Sequence, residues 1–258
     1  IFVLSESEFH KLSLNSEERN LIRPWFKNSN INRWFTDLTN SEHLIYYTSK
    51  KNYHNVDNLK EYLDQFKIIL VNRNVRSGQI TLQDYDQFLN GEKDISYIMI
   101  ASAMSEGNYY CVSYSRDEKI FESPKIVAPQ RSPRNTFAYN EVPWYASADV
   151  YFISQKEKTI SLKYILALLN SKLYFLWLYH RGKRKGETLE LYATPLKEIP
   201  IKFIPKDEQQ PFITLVDSIL ELNRAKHNQE NKTQQAKLEK QIDYLVYDSH
   251  DLSAEERE

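Results

Sequence analysis

The sequence predicts an α+β fold: mixed, mainly antiparallel β structure around one central buried helix, closed by helices at the C-terminal end. Three observations predict it. Residues 162–178 are the most apolar run of the chain, with Leu162, Ile165, Leu166, Leu169, Leu173, Leu176 and Leu178 leaving little polar face. That is the pattern of an interior helix. Between about 95 and 153, short β-prone runs alternate with Pro124, Pro129, Pro133 and Pro143. Proline cannot donate to a strand ladder, so each marks a strand end or edge. Beyond residue 205, apolar residues recur at helical spacing in two stripes, Phe212, Leu215, Val216, Ile219 and Leu222, then Leu238, Ile242, Leu245 and Val246. The polar stretch 223–234 joins them, as an antiparallel hairpin or one long helix.

The first 40 residues read as a polar lead-in with a short helix near 15–20, where Asn15 and Glu18 have capping-box spacing. In residues 21–35, Trp25, Phe26, Trp34 and Phe35 interleave with Arg23, Lys27 and Arg33. Pro24 bars a helix there, and the aromatics read as an anchor onto the core. Leu44–Thr48 alternates like a strand. Asp57 is placed to cap an amphipathic helix whose face carries Leu59, Tyr62, Leu63, Phe66, Ile69 and Leu70. That helix runs through Arg73 and Arg76 towards Gly78.

Strands are expected at Ile95–Ala101, Tyr109–Tyr114, Lys125–Ala128, Thr136–Tyr139 and Val150–Ile153. Ser161 is a plausible N-cap for the central helix, and Gly182 a plausible left-handed stop. Leu189–Leu191 and Ile199–Phe203 read as two further strands around Pro195 and Pro200. We expect one domain over 1–205 and a C-terminal helical pair over 206–258 packing on it.

The 258 residues carry a net charge of −1, so no global basic field marks a nucleic-acid binder. The balance is uneven. Residues 206–258 hold 7 Lys and Arg against 12 Asp and Glu, which leaves about +4 for the rest. The cations cluster in two places. Residues 181–186 hold Arg181, Lys183, Arg184 and Lys185 with no acid, expected as a flexible tip at the end of the central helix. They suit either the helix dipole or a grip on phosphate. Residues 128–137 place Gln130, Arg131, Arg134 and Asn135 among prolines. Arginine suits bidentate contact with guanine, and Gln or Asn with adenine. An ordinary polar loop is the plainer alternative.

Enzyme signatures are sparse. Five glycines at 78, 91, 107, 182 and 186 make neither a dinucleotide fingerprint nor a P-loop. Six scattered histidines and one cysteine give no zinc-ligand spacing. The lone Cys111 rules out an internal disulfide and suits a reducing, cytoplasmic compartment. Asp94 with Asp117, Glu118 and Lys119 is the one constellation that suggests metal-dependent phosphodiester cleavage, although acids there also suit a turn cap. No apolar run is long enough to span a bilayer, and the first residues lack a basic leader. The sequence begins at Ile1 rather than Met and is expected to be a piece of a longer polypeptide.

A set of strings now gathers meaning: ADVYFI (148–153), LKYILALLNSKL (162–173), the basic RGKRKG and LKEIPI (196–201). Together they resemble the TaqI-like C-terminal specificity domain of adenine-N6 DNA methyltransferases, including Eco57I-type fusions of methyltransferase and endonuclease. Two upstream pieces agree. IRPWFKNSNINRWF is similar to that family's opening motif, and SPKIVAPQ to its Lys-Ile strand. LEKQIDYLVYD (238–248) is similar to the closing helix, although Ser249-His250-Asp251 departs from the usual Leu-Tyr-Gly.

The resemblance implies a target-recognition domain over 1–205. Its partners would be double-stranded DNA and an upstream methyltransferase domain of the same parent chain, with no membrane. Gln130, Arg131, Arg134 and Asn135 become candidates for base contacts. Arg73, Arg76, Lys125, Arg181, Lys183, Arg184 and Lys185 become candidates for phosphate contacts. No catalytic or metal residue is assigned and no cofactor is expected in this chain. S-adenosylmethionine, and Mg²⁺ where a nuclease is fused, would belong to domains outside it, and no Asn-Pro pair of the catalytic motif occurs here. The competing readings are a metal-dependent endonuclease and a non-catalytic assembly module.

Overall fold

The computed structural model describes residues 1–48, 55–66, 69–70, 83, 86–87, 90–92, 112, 116–155, 159–224 and 229–257. The fold is α+β. Its contacts group into two compact units, one of residues 1–25 and 40–116, the other of 26–39 and 117–258. The C-terminal helices share the second unit with residues 117–205.

In the first unit, β1 (Val3–Ser5) leads into α1 (Glu6–Lys11), and α2 (Ser16–Arg19) into β2 (Ile22–Phe26). The short β3 (Trp34–Phe35) that follows in the chain belongs to the second unit, and β4 (Glu42–Ile45) returns to the first. β4 pairs antiparallel with β1 and β2. The strand expected at Leu44–Thr48 thus begins earlier and ends at Ile45.

The capping box of α2 forms as the spacing predicts, with Asn15 accepting from Glu18 N and Glu18 accepting from Asn15 N. The helix α3 (Asp57–Asp64) departs from expectation. Val56, not Asp57, holds its N-cap position and supplies no side-chain bond. Glu18 takes that role from a distance: its carboxylate accepts from Leu59 N at 3.0 Å and from Asn58 Nδ2 at 2.8 Å. Leu4, Leu14, Leu21, Ile45, Val56, Leu59, Leu63 and Leu70 close this core. Ile69 does not join it and is 59% exposed.

After β3 the second unit continues with α4 (Glu118–Glu122), β5 (Lys125–Pro129), β6 (Arg131–Ser132), β7 (Ala138–Asn140), β8 (Tyr145–Ala146) and β9 (Val150–Ser154). β5 is central, antiparallel to both β7 and β9, and β3 runs parallel to β7. β7 starts two residues later than expected, because the Phe137 backbone bonds the Asn170 side chain in place of a strand neighbour. The expected strand Ile95–Ala101 lies outside the described residues, as does Tyr109–Tyr114 apart from Val112.

The central apolar run is two helices, α5 (Leu162–Asn170) and α6 (Lys172–His180). Ser161 caps α5 as expected. Ser171 ends α5 and starts α6: its hydroxyl donates to Leu168 O at 2.7 Å and accepts from Tyr174 N. Three neighbours fix the break. Asn135 donates to Leu169 O and Ser171 O, Arg33 donates to Asn170 O, and Asp243 accepts from Lys172 N at 2.8 Å. Only α5 is buried along nearly its whole length. α6 buries Tyr174 and Leu178 and leaves Leu176 52% exposed.

β10 (Lys183–Lys185), β11 (Thr188–Glu190) and the short α7 (Ala193–Lys197) follow. Pro195 sits in the first turn of α7, where its missing N–H costs nothing. The strand expected at Ile199–Phe203 does not form. Its backbone is instead held by tyrosine hydroxyls, Tyr174 donating to Pro200 O at 2.9 Å and Tyr164 to Lys202 O at 2.8 Å. Helices α8 (Gln210–Arg224) and α9 (Gln229–Ser249) pack on each other and on α5, joined by Asn223 donating to Gln235. Buried Gln209 accepts from Ser161 N at 2.8 Å and donates to Thr159 O and Ile204 O, which locks the start of α5 to the start of α8.

Candidate nucleic-acid interface

β10 and β11 form a hairpin closed by Gly186 and Glu187. Gly186 has φ +62°, which glycine adopts without steric cost and two-residue hairpin turns demand. β11 then pairs on its other side with β6, bringing Leu189 opposite Ser132 and Glu190 opposite Arg131. The two basic patches, some 50 positions apart in sequence, therefore share one three-stranded antiparallel ribbon. Of the flexible tip expected at 181–186, Lys183–Lys185 form a strand.

Side chains alternate across a strand, so the ribbon has two faces. Leu189 and Ser132 are buried and fix one face towards the core. Arg131, Lys183, Lys185, Thr188 and Glu190 take the other. In its central row, Arg131 Nε and Nη2 both lie 3.2 Å from Glu190 Oε1, and Lys183 Nζ lies 3.9 Å from Glu190 Oε2. Lys183 also sits 5.1 Å from the Tyr192 ring centre. A hydrogen bond with Tyr192 raises its ammonium pKa above the usual lysine value, so it stays charged. Lys185, Arg181 and Arg134 are exposed.

The hairpin is braced on α6. The Arg184 guanidinium stacks 3.8 Å from the Tyr179 ring centre, a cation–π contact. The Tyr179 hydroxyl donates to Glu187 at 3.0 Å. Gly182 joins helix to strand, but not through a left-handed backbone, since its φ is not positive. The requirement is space: a Cβ there would lie 2.5 Å from Leu178 O. Gln130 anchors the other end, its N donating to Asp149 O and its carbonyl accepting from Leu191 N.

Two expected contacts are corrected. Asn135 is only 2% exposed and both its amide bonds go to the helix break, so it cannot reach a base. Lys125 is fully buried, donating to Ser123 O at 3.1 Å and Val142 O at 2.8 Å. Burial lowers its pKa to about 8, the reverse of a phosphate-gripping lysine. Arg73 and Arg76 lie outside the described residues. Of the acidic constellation, Asp94 also lies outside them, and Asp117 caps α4 by accepting from Lys119 N at 3.1 Å. Among the described residues no group of three His, Cys, Asp or Glu is placed to hold a metal. No helix there is long and apolar enough to cross a membrane.

Glu190, Tyr179 and Tyr192 were missed by sequence reasoning. No local pattern marks them, because their roles come from cross-strand register. A cavity of about 650 Å³, lined among others by Thr36, Tyr139, Leu220 and Arg224, shares no residue with the ribbon.

The second unit displays a short cationic ribbon, as a binding module does. The chain matches the TaqI-like C-terminal specificity domain over residues 18–201 and belongs to that family, a recognition domain of restriction–modification systems. It is 34% identical over 104 residues to the type II methyltransferase M.HincII of Haemophilus influenzae, covering 37% of this chain and 21% of that protein. It is 35% identical over 97 residues to the type II methyltransferase M.HindII of Haemophilus influenzae strain Rd, covering 35% of this chain and 18% of that protein. The matches span about a fifth of the length of these relatives.

Proposed function

We propose that this chain reads a duplex DNA sequence on behalf of an adenine-N6 methyltransferase half of the same polypeptide. The observation that carries the reading is the pairing of β11 with both β10 and β6, which merges two basic patches into one braced surface. Arg131, with Arg134 and Gln130 beside it, would contact base edges. Lys183 and Lys185, with Arg181, would hold phosphates and set register, while Arg184, on the opposite face against Tyr179, would brace the hairpin. A two-stranded ribbon such as β10–β11 fits the width of a major groove. The methyltransferase half would bind S-adenosylmethionine and extrude and methylate the adenine, and the chain's location would be the cytoplasm. A fused endonuclease, where present, would add its own Mg²⁺ site.

The test is selection of randomised duplexes by the full chain at two salt concentrations. Enrichment of one short motif is expected. Arg131→Ala should relax that motif at one position, at a cost of about 1–3 kcal/mol. Lys185→Ala should weaken all duplexes alike and flatten the salt slope by about one unit. Equal, sequence-independent losses from both would refute the division of roles, and no binding at either salt would refute the reading.

A further inference from the structure

Resting on that reading, we infer that Glu190 is a positioning residue that aims Arg131 at a guanine and so sets one base of the recognised site. Glu190 lies on the middle strand, with backbone neighbours on both sides. Although it faces outward, its side chain is only 12% exposed, wedged between Arg131 and Lys183. Arg131, by contrast, keeps 51% of its side chain exposed.

Both contacts from Arg131 come from one edge of the guanidinium, Nε and Nη2, and both end on Glu190 Oε1. The adjacent edge, Nη1 with Nη2, is then directed away from the carboxylate. Guanine presents two acceptors, O6 and N7, at the spacing of that edge. Adenine presents an N6 donor in place of O6. A free arginine loses rotamer entropy when it docks, so one already held by a carboxylate loses less.

The same carboxylate works against general affinity. It places a negative charge among the cations that would meet a phosphate backbone, which repels DNA of every sequence. A residue with a merely structural role would lower specific and non-specific binding together. A positioning role moves them in opposite directions.

The experiment compares wild type, Arg131→Ala, Glu190→Gln, Glu190→Ala and the Arg131→Ala/Glu190→Gln double variant of the full chain. Each is put through duplex selection and a titration with a duplex lacking the site. Glu190→Gln and Glu190→Ala should lower guanine preference at the Arg131-dependent position by roughly tenfold, while affinity for the non-site duplex holds or rises severalfold. In the double variant, removing Glu190 should have no further effect on preference, because its influence passes through Arg131. Full guanine preference in both Glu190 variants, with Arg131→Ala still relaxed, would overturn the inference and leave the proposed function standing. A parallel fall in both affinities together with lost thermal stability would also overturn it. If Arg131→Ala relaxes no position, the base-reading assignment fails and the inference fails with it.

Discussion

Asn170 does for Phe137 what a neighbouring strand would do: its side-chain oxygen accepts from Phe137 N at 3.2 Å and its amide donates to Phe137 O at 2.9 Å. Both residues are fully buried. The Phe137 carbonyl has a second donor in Trp34 N at 2.8 Å, but its N–H has Asn170 alone among these contacts. Asn170→Leu keeps the branching and the number of heavy atoms and removes the acceptor. It should cost about 1–3 kcal/mol, the penalty for a buried donor left unmade. Denaturant midpoints of wild type and variant measure it.

Glu18 caps two helices with one carboxylate. Burial pushes its pKa up, but hydrogen bonds from Asn58, Asn15 and Leu59 outweigh that, so it titrates below the ordinary 4.5. A carboxyl with a lowered native pKa contributes its full stability above the ordinary value and loses it as pH falls through the native one. Glu18→Gln replaces one acceptor oxygen by a donor facing donors. The expected loss at neutral pH is about 1–3 kcal/mol. The gap between wild type and variant should narrow when unfolding is repeated below pH 4.5.

Lys125 gives a pH dependence of the same sign in a higher window. Between its native pKa of about 8 and the ordinary 10.5, the unfolded chain binds a proton that the folded chain has released. Stability therefore rises with pH in that window, at a slope approaching about 1.4 kcal/mol per pH unit. Lys125→Met should lack the rise. Buried tyrosines act in the other direction higher up, with Tyr139 pushed up to about 12 chiefly by burial, so unfolding is best followed from pH 8 to 10. Identical slopes in wild type and variant would show that Lys125 does not titrate there.

Gly182→Ala tests the joint between helix and hairpin. The added methyl would meet the Leu178 carbonyl at 2.5 Å, a backbone atom that cannot rotate aside. Overpacking of this kind costs about 1–3 kcal/mol. The hairpin should be displaced as well, so duplex binding should fall further than the stability loss alone explains. Thermal unfolding and duplex titration on the same variant separate the two.

Local signals were legible in the sequence. The Asn15–Glu18 box, the Ser161 cap, the β5 and β9 runs and both C-terminal stripes need only neighbouring residues, and they form as read. The break at Ser171 was not legible, because the apolar period runs straight through it. It depends on Asn135, Arg33 and Asp243 arriving from elsewhere. The same limit applied to the candidate site. Arg131 and the 183–185 cations stand out by composition, but burial withdraws Asn135 and Lys125, and only strand register places Glu190 between Arg131 and Lys183.

The two-residue period of the ribbon separates two kinds of change. Replacing Leu189 or Ser132 disturbs the interior and so the fold. Replacing Arg131, Lys183, Lys185 or Thr188 alters only what the outer surface presents. On the proposed reading, new preferences would arise there by single substitutions while the scaffold stays intact, which would make this ribbon the place to redesign or diversify what the domain selects.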